Sequence, residues 1–358
     1  MNKQTVRLAL KQQIIDGRYL PGEKLPTEAA LLREFKVSRY SLRQALQTLV
    51  LERFLLVVQG SGYFVMSPDD RNINETPHHV VGVIATHIAD YIFPPLISGI
   101  DEIVNEEGYN LMISNTHNQT SAERRSLNMM LDSGVDGLIV EATKSAIENP
   151  NLDIYRRLAL RHFPLVFINA RYSELDSFPV LTVADEASEH DLITHLIELG
   201  HQRILGFFKI DDQQGVDRMR GFMRAYQEQR YDPDLGTLIL FQSGDSVERL
   251  KRQIATQMND PALRPTAIAC YNDQLAIKMM SWLTDLGYDV PDQVSIVGFD
   301  DYGLSSYLRP ALTTAVHPKR KMGQTAGRML LSMINHGPGV SEQFPVELQL
   351  RGSTQKLI

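Results

Sequence analysis

Eight short apolar runs after residue 79 constrain the fold of this chain more than any other feature of its sequence. Each run is followed by a stretch in which apolar residues recur at helical spacing. The runs are VVGVIAT, NLMIS, GLIV, LVFIN, RILGFF, TLILF, AIACY and VSIVGF. Strands that are apolar on both faces and alternate with helices form parallel sheets covered on both sides. The runs divide near residue 183, which predicts two Rossmann-like lobes and an α/β fold overall.

Residues 1–67 show a different order of elements. Helical spacing up to Gly17 predicts a first helix, Thr27 can cap a second, and Ser38 can cap a third. The apolar residues of the third helix recur at i, i+3, i+4 and i+7 and should face a core: Leu42, Ala45, Leu46 and Leu49. The segment FLLVVQGSGYFV then indicates two strands around a turn. This order predicts an N-terminal winged helix-turn-helix, a domain of the α+β class.

Charge is distributed unevenly along the chain. Residues 1–67, here called the head, carry ten Lys and Arg against five Asp and Glu, a net charge of +5. The remaining residues carry 26 against 38, a net charge of −12. A basic head indicates a polyanionic partner. Residues 68–79 are polar, show no periodicity and predict a linker to the body, which is residues 80–358.

The face of the third helix opposite its core residues carries the side chains expected to contact DNA. They are Arg39, Tyr40, Arg43, Gln44 and Gln47. Arg can pair with guanine O6 and N7, and Gln with adenine N6 and N7, so this helix suits a major groove. The turn Gln59-Gly60-Ser61-Gly62 is small enough for its backbone to approach DNA closely, including in the minor groove. The alternative is a solvated helix face beside an ordinary glycine turn.

Polar residues follow the predicted strands of the body, at the strand ends where open α/β sheets bind ligands. They are Glu141, Asn169, Lys209, Asp273, Asp300 and His317, with Arg218 on a following helix and Tyr91 and Phe93 after the first strand. Charged and amide groups beside an aromatic wall suit a sugar, which exposes hydroxyls and an apolar ring face. The alternative for each is a surface residue or a helix cap; Asn272 or Asp273 can cap the helix NDQLAIKMM.

Catalytic and metal-binding chemistry finds little support. His78, His79, His87 and His117 lack a Cys or carboxylate partner at zinc-ligand spacing. No G-x-S-x-G elbow, P-loop or G-x-G-x-x-G motif occurs. Adjacent residues at a strand end point in opposite directions, so Asp300-Asp301 is a poor acid/base pair. We therefore expect no enzyme activity, no metal and no cofactor.

The chain also lacks features of export and membrane insertion. MNKQTVRLAL has neither the apolar stretch nor the cleavage site of a secretory signal. No apolar run approaches the ~18 residues of a membrane span. Cys270 is the single cysteine, so no intrachain disulfide can form. These features predict a soluble cytoplasmic protein, associated with the nucleoid when it is bound to DNA, that does not contact a membrane.

Residues 24–65 resemble the winged helix of the GntR family, whose pattern is KLPSE, VSR, R and AL, then QGxGxFV. The chain has KLPTE, VSR, Arg43, AL and QGSGYFV in the same order. The resemblance implies DNA contacts from Arg39, Arg43, Gln59 and Gly62, with Lys24 and Thr27 near phosphate.

Three positions depart from that family pattern. Lys36 occupies a turn position where the family favours Gly, and Arg53 replaces the Gly that usually precedes the wing. Tyr40 stands where Thr is common. Either Lys36 adopts the left-handed conformation at a modest cost in strain, or the turn differs. These departures affect the expected sequence preference more than DNA binding itself.

Most of residues 80–318 resembles the LacI/GalR-type effector domain, a two-lobed fold of the periplasmic-binding-protein type. The matching segments include VDGLIV, HLIELGHQRI, RMRGF, AIACYND, VPDQVSIVGFDD and LTTAVHP. The resemblance assigns Arg218 to the family's Arg before Gly-Phe and Asp273 to the acidic residue of its ND motif. His317 stands where many members have Gln. We expect one lobe from residues 80–183 with 312–335, and the other from 184–311 with 336–358.

A GntR-type head on a LacI/GalR-type body is similar to the architecture of the AraR group, the arabinose-responsive repressors of Gram-positive bacteria. The strings DYIFP, DGLIVEATKSA, FKIDDQQGVDRMRGF, CYND and HPK also fit that group. The resemblance implies a homodimeric transcriptional repressor of carbohydrate-utilisation genes. Its partners would be double-stranded operator DNA and a sugar effector, L-arabinose or a related sugar.

Two questions have more than one answer at the level of sequence: how the head is coupled to the body, and which ligand the body binds. LacI relatives use a hinge helix with a distinctive motif, and nothing like it occurs between Ser67 and His79. We therefore expect the linker to act through effective concentration rather than as a rigid lever. The alternatives are a regulator of another sugar, one whose ligand promotes DNA binding, and a sugar-binding transport receptor. An enzyme acting on a carbohydrate is a further alternative, which would require a paired acid/base constellation that the sequence does not show.

Overall fold

The computed structural model describes residues 3–52, 54–58, 61–66, 78–89, 91–229, 235–262 and 264–357. The chain divides into two compact units, one made mainly of the residues before 79 and the other mainly of those from 79 onward. The first holds the head, and the second holds most of the body. The predicted linker lies almost entirely outside the described residues.

Helices and a small sheet form the head in the predicted order. The elements are α1 (Lys3–Ile15), α2 (Glu28–Phe35), α3 (Arg39–Leu51), β1 (Leu55–Val58) and β2 (Gly62–Val65). The two strands are antiparallel. Thr27 Oγ1 accepts a hydrogen bond from Ala30 N, and Ser38 Oγ accepts one from Ser41 N. Both predicted helix caps and the winged helix-turn-helix are thus confirmed.

One apolar core determines how α3 is oriented in the head. The four residues of α3 predicted to face the core, Leu42, Ala45, Leu46 and Leu49, are all buried. They pack with Val6, Leu10 and Ile14 of α1 and with Leu31 and Phe35 of α2. Burying such side chains stabilises a fold by about 1.5–3 kcal/mol each. Because this face is held in the core, the opposite face of α3 must point away from it.

Lys36 ends α2 in the left-handed conformation. Its φ is 49° and its ψ is 52°, and its backbone N–H donates to Leu32 O. The left-handed alternative considered for this departure from the GntR pattern is therefore confirmed. A residue with a Cβ adopts this conformation at a cost of roughly 1–2 kcal/mol. Arg53, the second departure, lies outside the described residues.

Two six-stranded sheets form the two lobes of the body. The first sheet is parallel throughout, in the order β13-β7-β6-β5-β3-β4. Its strands are β3 (Val80–Ala85), β4 (Asn110–Asn115), β5 (Gly137–Glu141), β6 (Leu165–Ile168), β7 (Val180–Val183) and β13 (Glu342–Phe344). The second has the order β14-β12-β11-β10-β8-β9, and β14 alone is antiparallel to its neighbour within this described sheet. Its strands are β8 (Ile204–Lys209), β9 (Gly236–Phe241), β10 (Ala267–Cys270), β11 (Ser295–Phe299), β12 (Thr313–Ala315) and β14 (Leu348–Gln349).

Helices connect the strands of each lobe. The helices of the first lobe are α4 (Phe93–Glu106), α5 (Thr120–Asp132), α6 (Leu152–Leu160) and α11 (Lys319–Ile334). Those of the second are α7 (Asp185–Glu198), α8 (Gln213–Gln229), α9 (Val247–Asn259) and α10 (Asp273–Asp285), with a 3-10 turn at Gly303–Ser306. α4 packs against α11, and α7 packs against α8. In the part of the chain that is described, no helix has both the length and the apolar character needed to cross a bilayer.

All eight apolar runs form strands, but the C-terminal part of the body differs from the expected division between lobes. β12, expected in the first lobe, pairs with β11 of the second. β13, expected in the second lobe, pairs with β7 of the first. The chain crosses between the lobes at residues 316–318 and again at 345–347. Strands of two or three residues are too short to show a periodic pattern. The sequence therefore does not indicate which of the two sheets each of these strands joins.

Candidate functional site

The exposed face of α3 carries the side chains predicted to contact DNA. Arg39, Tyr40, Arg43 and Gln47 are exposed, and Gln44 is half-buried. Tyr40, a large aromatic side chain, is exposed over 74% of its surface. The core on the other side of α3 brings these side chains together on one face, as the spacing predicts.

An ion pair between α2 and α3 orients one of these residues. Arg43 Nε lies 3.1 Å from each carboxylate oxygen of Glu28. The hydrogen bond and charge of Glu28 raise the pKa of Arg43. The Arg43 side chain remains 58% exposed, and solvent screens a pair of this kind. The pair therefore positions the guanidinium more than it stabilises the head.

Among the other predicted DNA contacts, Lys24 and Gly62 lie at β2 and Thr27 at the start of α2. The backbone of Lys24 forms a bridge with Phe64, and its side chain is exposed. Gly62 has φ +118°, and Lys24 Cε lies 3.4 Å from the position that a Cβ on Gly62 would take. Ser61 and Thr27 are exposed, and the Thr27 hydroxyl caps α2. Gln59 and Gly60 lie outside the described residues.

A cavity of about 400 Å³ lies between the two lobes of the body. Eight of the nine residues predicted to bind a ligand line it: Tyr91, Phe93, Glu141 and Asn169 of the first lobe, Lys209, Arg218 and Asp300 of the second, and His317 at a crossover. Glu141 ends β5, Lys209 ends β8, and Asn169 and Asp300 directly follow β6 and β11. The carboxyl ends of both sheets thus supply the side chains.

Arg218 is the centre of the polar cluster on the second lobe. Its Nε donates to Asp185 Oδ1 at 2.8 Å, and one terminal nitrogen donates to Tyr271 O at 2.5 Å. The other terminal nitrogen lies 3.4 Å from Asp300 Oδ1. The guanidinium carbon lies 3.6 Å from the centre of the Phe299 ring. Attraction to Asp185 and Asp300 outweighs burial and raises the pKa of Arg218, which keeps it charged.

A chain of hydrogen bonds crosses the first lobe at the cavity wall. Glu141 Oε2 accepts hydrogen bonds from the backbone N–H and the hydroxyl of Thr86, and Glu141 Oε1 accepts one from Asn169 Nδ2 at 3.0 Å. Burial raises the pKa of Glu141 to about 7, against the opposing effect of these hydrogen bonds. A carboxyl with such a pKa carries a proton part of the time at neutral pH. It can therefore both donate to and accept from a ligand hydroxyl.

His317 continues this chain and offers a free acceptor. Its Nε2 lies 3.2 Å from Asn169 Oδ1, and because Asn169 donates its Nδ2 to Glu141, the Nε2 must carry the proton. Burial lowers the pKa of His317 to about 3, so the ring is neutral. Its Nδ1 is buried and has no hydrogen-bond partner among the residues described. It is thus an acceptor in need of a donor.

Direct contacts join the two lobes beside the cavity. The Tyr91 hydroxyl of the first lobe donates to Asp300 Oδ2 of the second. The rings of Tyr91 and Tyr302 lie 4.4 Å apart. Lys319, at the start of α11, donates to the backbone oxygens of Asp300 and Asp301. The position of the Asp300 carboxylate is therefore sensitive to how the lobes meet.

Lys209 lines the cavity, but carboxylates of its own lobe already engage its charge. Its Nζ donates to Asp212 Oδ2 at 2.5 Å and lies 4.0 Å from Asp211 Oδ1. The Asp212 carboxylate also accepts from Tyr271 OH at 3.4 Å and from Asn118 Nδ2 of the first lobe at 3.2 Å. A ligand hydroxyl at this position would meet a lysine and an aspartate together.

Asp273 is not among the residues that line the cavity, and its ligand contact stays a prediction. It is fully buried, and its carboxylate accepts hydrogen bonds from Ser305 Oγ at 2.6 Å, Thr314 Oγ1 at 2.6 Å and Tyr302 N at 2.7 Å. The preceding Asn272 lines the cavity and caps α10 by accepting from Leu275 N at 2.9 Å. Side chains one residue apart at a helix start point in different directions, so the ND motif presents only its first member.

The sequence interpretation missed two important cavity residues. Asp185, which holds Arg218, follows β7, a strand too short to stand out among the apolar runs. Tyr271 directly follows β10 and is the last residue of the apolar run AIACY, so the sequence pattern predicts a strand residue. In the structure its ring lines the cavity. An acidic residue directly after the segment VLTV was the available signal for Asp185. Asp301, by contrast, points away from Asp300 as expected and accepts from an Arg351 terminal nitrogen at 2.7 Å.

The arrangement suits recognition of a small polyhydroxylated molecule. It combines one buried cation, carboxyls, an amide and a neutral imidazole with aromatic rings of both lobes. Within the described residues, no group of three or more His, Cys, Asp or Glu side chains is placed to hold a metal ion. A ligand in this cavity would contact both lobes at once.

Comparisons with known proteins match both parts of the chain. Residues 2–65 match the family of bacterial regulatory proteins called gntR, and residues 193–354 match the periplasmic binding protein-like domain. The arabinose metabolism transcriptional repressor of Geobacillus stearothermophilus is 42% identical, covering 91% of this chain and 90% of that protein. The repressor of the same name from Halalkalibacterium halodurans is 36% identical, covering 92% of this chain and 88% of that protein.

Solved structures resemble the chain in fold. A LacI family transcriptional regulator from Enterococcus faecium, with bound ribose, has 23% identity and a TM-score of 0.65, covering 78% of this chain and 100% of that one. The transcription regulator CcpA of Lactococcus lactis has 22% identity and a TM-score of 0.67, covering 77% and 99%. Together with the two relatives that match both head and body, these findings show that the chain belongs to the family of the arabinose metabolism transcriptional repressors.

Proposed function

We propose that the protein is a sequence-specific repressor of carbohydrate-utilisation genes that binds operator DNA as a homodimer. L-arabinose, or a related sugar, bound between the lobes of the body would release it from the DNA. The observation that carries this proposal is the cavity lined by polar groups from both lobes, on a chain whose head exposes a basic helix face. A cytoplasmic location follows from the DNA partner.

The polar groups of the cavity support a sugar as the effector. A pentose offers several hydroxyls in fixed directions, each of which donates and accepts hydrogen bonds. Arg218 donates, His317 Nδ1 accepts, and Glu141 can do both. Tyr91 and Phe93 supply apolar surface for a ring face. Those four kinds of group together suit a neutral sugar better than a charged or wholly apolar ligand.

The head supports operator DNA as the partner. Its net charge of +5 favours association with a polyanion. Arg39 and Arg43 lie on the exposed face of a helix whose other face is buried, as a helix in a major groove requires. Winged heads read half-sites in pairs, so a dimer formed by the body would set the spacing between them.

Closure of the lobes supports a link between sugar and DNA. A sugar that contacts Arg218 on one lobe and Glu141 on the other favours the lobe arrangement in which both contacts are made. In a dimer built from the bodies, this change alters the distance between the two heads. Heads that no longer match the operator spacing lose the benefit of binding as a pair.

The test is a mobility-shift titration with operator DNA from upstream of pentose-utilisation genes. L-arabinose, D-xylose and D-ribose are added separately to the preformed complex at fixed salt concentration. Release of the DNA by L-arabinose alone is the expected result. Release by another pentose alone would identify that pentose, and not L-arabinose, as the effector. Tighter DNA binding in the presence of a sugar would show that the ligand promotes DNA binding. Failure to bind the DNA at all would overturn the proposal.

A further inference from the structure

Two consecutive residues of the second lobe have a backbone conformation that strains any residue with a Cβ. Asp300 has a φ of 104° and Asp301 a φ of 50°, in the turn that directly follows β11. A strained residue of this kind persists only where the surrounding structure holds it in place. Asp300 also lines the cavity between the lobes, so the strain lies beside the predicted ligand.

Groups of the second lobe hold the N–H side of this turn. Asp301 N donates to Thr314 Oγ1 at 3.3 Å, and Tyr302 N donates to a carboxylate oxygen of Asp273 at 2.7 Å. Thr314 Oγ1 in turn donates to the other carboxylate oxygen of Asp273 at 2.6 Å. These N–H groups therefore have their partners within the lobe to which the turn belongs.

A lysine of the first lobe holds the carbonyl side of the same turn. Lys319, at the start of α11, donates from Nζ to the backbone oxygen of Asp300 and, at 3.1 Å, to that of Asp301. Its third donor reaches His317 O at 3.4 Å. Lys319 is half-buried and is not among the residues that line the cavity. An effect of Lys319 on a ligand would therefore pass through the turn.

The turn determines where the Asp300 carboxylate lies. Its Oδ1 is 3.4 Å from a terminal nitrogen of Arg218, and its Oδ2 accepts from the Tyr91 hydroxyl. Burial raises the pKa of Asp300, while Arg218, the Tyr91 hydroxyl and Lys319 oppose that rise. Rotation about φ moves a side chain relative to the strand before it. A relaxed backbone at Asp300 would therefore turn the carboxylate away from both of its partners.

We propose that Lys319 is a positioning residue for the effector, because it holds the strained turn at Asp300 and Asp301 and so directs the Asp300 carboxylate to the cavity. Without Lys319 the turn relaxes in the free protein, and a sugar must restore the strained conformation when it binds. The apparent affinity then falls with the fraction of protein that has the competent conformation. This inference rests on the proposed function, because it assumes a sugar between the lobes.

The first test compares Lys319→Met with the parent by calorimetric titration of the full-length protein with L-arabinose. The substitution keeps most of the side-chain length and removes the donors. We expect Lys319→Met to bind about 10- to 100-fold more weakly, as the loss of charge-assisted hydrogen bonds predicts. Lys319→Arg retains donors and should lose less; it supplies the comparison if Lys319→Met does not fold.

A second lysine of the same helix provides the matched control. Lys321 is exposed, and its Nζ lies 5.6 Å from the centre of the Phe344 ring rather than at the turn. Lys321→Met should bind L-arabinose as tightly as the parent. An affinity of Lys319→Met equal to that of the parent, or an equal loss in Lys321→Met, would overturn the inference.

The second test separates positioning of the turn from a general loss of structure. Asp301→Gly and Asp301→Ala both remove the pair with Arg351, but only glycine adopts a positive φ without strain. While Lys319 holds the turn, the two variants should bind L-arabinose equally well. In Lys319→Met, the glycine variant should bind about fivefold more tightly than the alanine variant, because less strain has to be restored. The same ratio in both backgrounds would contradict a turn held by Lys319.

The two proposals fail in different ways. If the parent binds L-arabinose and Lys319→Met binds it as tightly, only the positioning role is overturned. If the parent binds no pentose, the proposed effector is wrong and the positioning role with it.

Discussion

Arg218 Nε donates a hydrogen bond to Asp185 Oδ1 at 2.8 Å, and the side chains are only 4% and 5% exposed. The bond joins α8 to the start of α7 within the second lobe. Asp300 lies on the other side of the same guanidinium. A buried arginine held between two carboxylates has one orientation, so its remaining surface is presented to the cavity in a fixed direction.

Replacing Arg218 should remove sugar binding and destabilise the second lobe. Arg218→Met leaves Asp185 and Asp300 buried without their cation, and breaking a buried pair in this way costs about 3–5 kcal/mol. Calorimetric titration with the effector and urea unfolding measure the two effects. Arg220→Met on the same helix is the control, since Arg220 is exposed and pairs with nearby Asp217 rather than with the buried carboxylates. Sugar affinity equal to that of the parent would contradict the central role of Arg218.

Glu189 should make the body less stable as pH rises. It is buried, neither carboxyl oxygen has a hydrogen-bond partner within the described residues, and burial raises its pKa from 4.5 to about 8. Below pH 4.5 both the folded and the unfolded carboxyl are protonated. Between 4.5 and 8 only the unfolded one ionises, so stability falls with rising pH and levels off above 8.

Glu189→Gln removes this contribution. At pH 8 to 9 the variant should be more stable than the parent by up to about 5 kcal/mol, with a smaller difference at pH 5. Urea unfolding across this pH range measures the change. Glu198→Gln, an exposed position on the same helix, should leave the pH profile of the parent unchanged. A variant with the same pH slope as the parent would show that Glu189 ionises normally.

Asn118 should contribute to closure of the lobes. Its Nδ2 donates to Asp212 Oδ1 at 3.2 Å and to Ser243 Oγ at 2.8 Å, both in the opposite lobe. Asn118 has φ 52°, so Asn118→Gly removes the side chain and keeps the backbone conformation. Each lost bond is worth about 1 kcal/mol, so sugar affinity should fall roughly 5- to 30-fold. Titration calorimetry measures this, with exposed Asn259→Ala as control; an unchanged affinity would mean that these contacts do not favour closure.

Arg43 should contribute to operator recognition more than to folding. Arg43→Ala removes the guanidinium that Glu28 orients on the exposed face of α3. Loss of one arginine contact to a base lowers specific affinity about 10- to 100-fold, and the thermal unfolding of the protein should be almost unaffected. Mobility shift at fixed salt measures the affinity. Lys251→Ala in the body is the control, and equal affinity of the Arg43 variant would exclude this contact.

Lys36 should be a position at which glycine stabilises the head. Its left-handed backbone, with φ 49°, strains any residue that has a Cβ. Lys36→Gly relieves this strain, but the greater conformational freedom of glycine in the unfolded chain offsets part of the gain. The free energy of unfolding should therefore rise by about 1 kcal/mol. Lys36→Ala keeps the Cβ and should show no such gain in the same denaturant titration. A gain with alanine instead would point to the lysine charge as the cause.

Much of the fold follows from local pattern. Thr27 and Ser38 cap their helices because a short side-chain oxygen can reach the free N–H groups of a first turn. The eight apolar runs form strands because residues apolar on both faces need cover on both sides of a sheet. The strand ends also place four predicted residues at the cavity, since parallel strands bring their carboxyl ends to one edge: Glu141, Asn169, Lys209 and Asp300.

The pairing of short strands, the direction of side chains and the partners of buried charges depend on the tertiary structure rather than on local sequence pattern. β12 and β13 are only three residues long, so their lobes depend on which sheet edge they pair with across the crossovers. Asn272 and not Asp273 lines the cavity because of the direction that each side chain takes at the start of α10. The sequence motif alone does not specify these directions. Asp185 gains its role only because α7 packs beside Arg218 of α8. Local sequence patterns predict the elements, their caps and the sheet edges that line the cavity, because these features depend on neighbours along the chain. The pairing of short strands and the partners of each buried charge depend on residues distant in sequence, and only the folded chain brings those together.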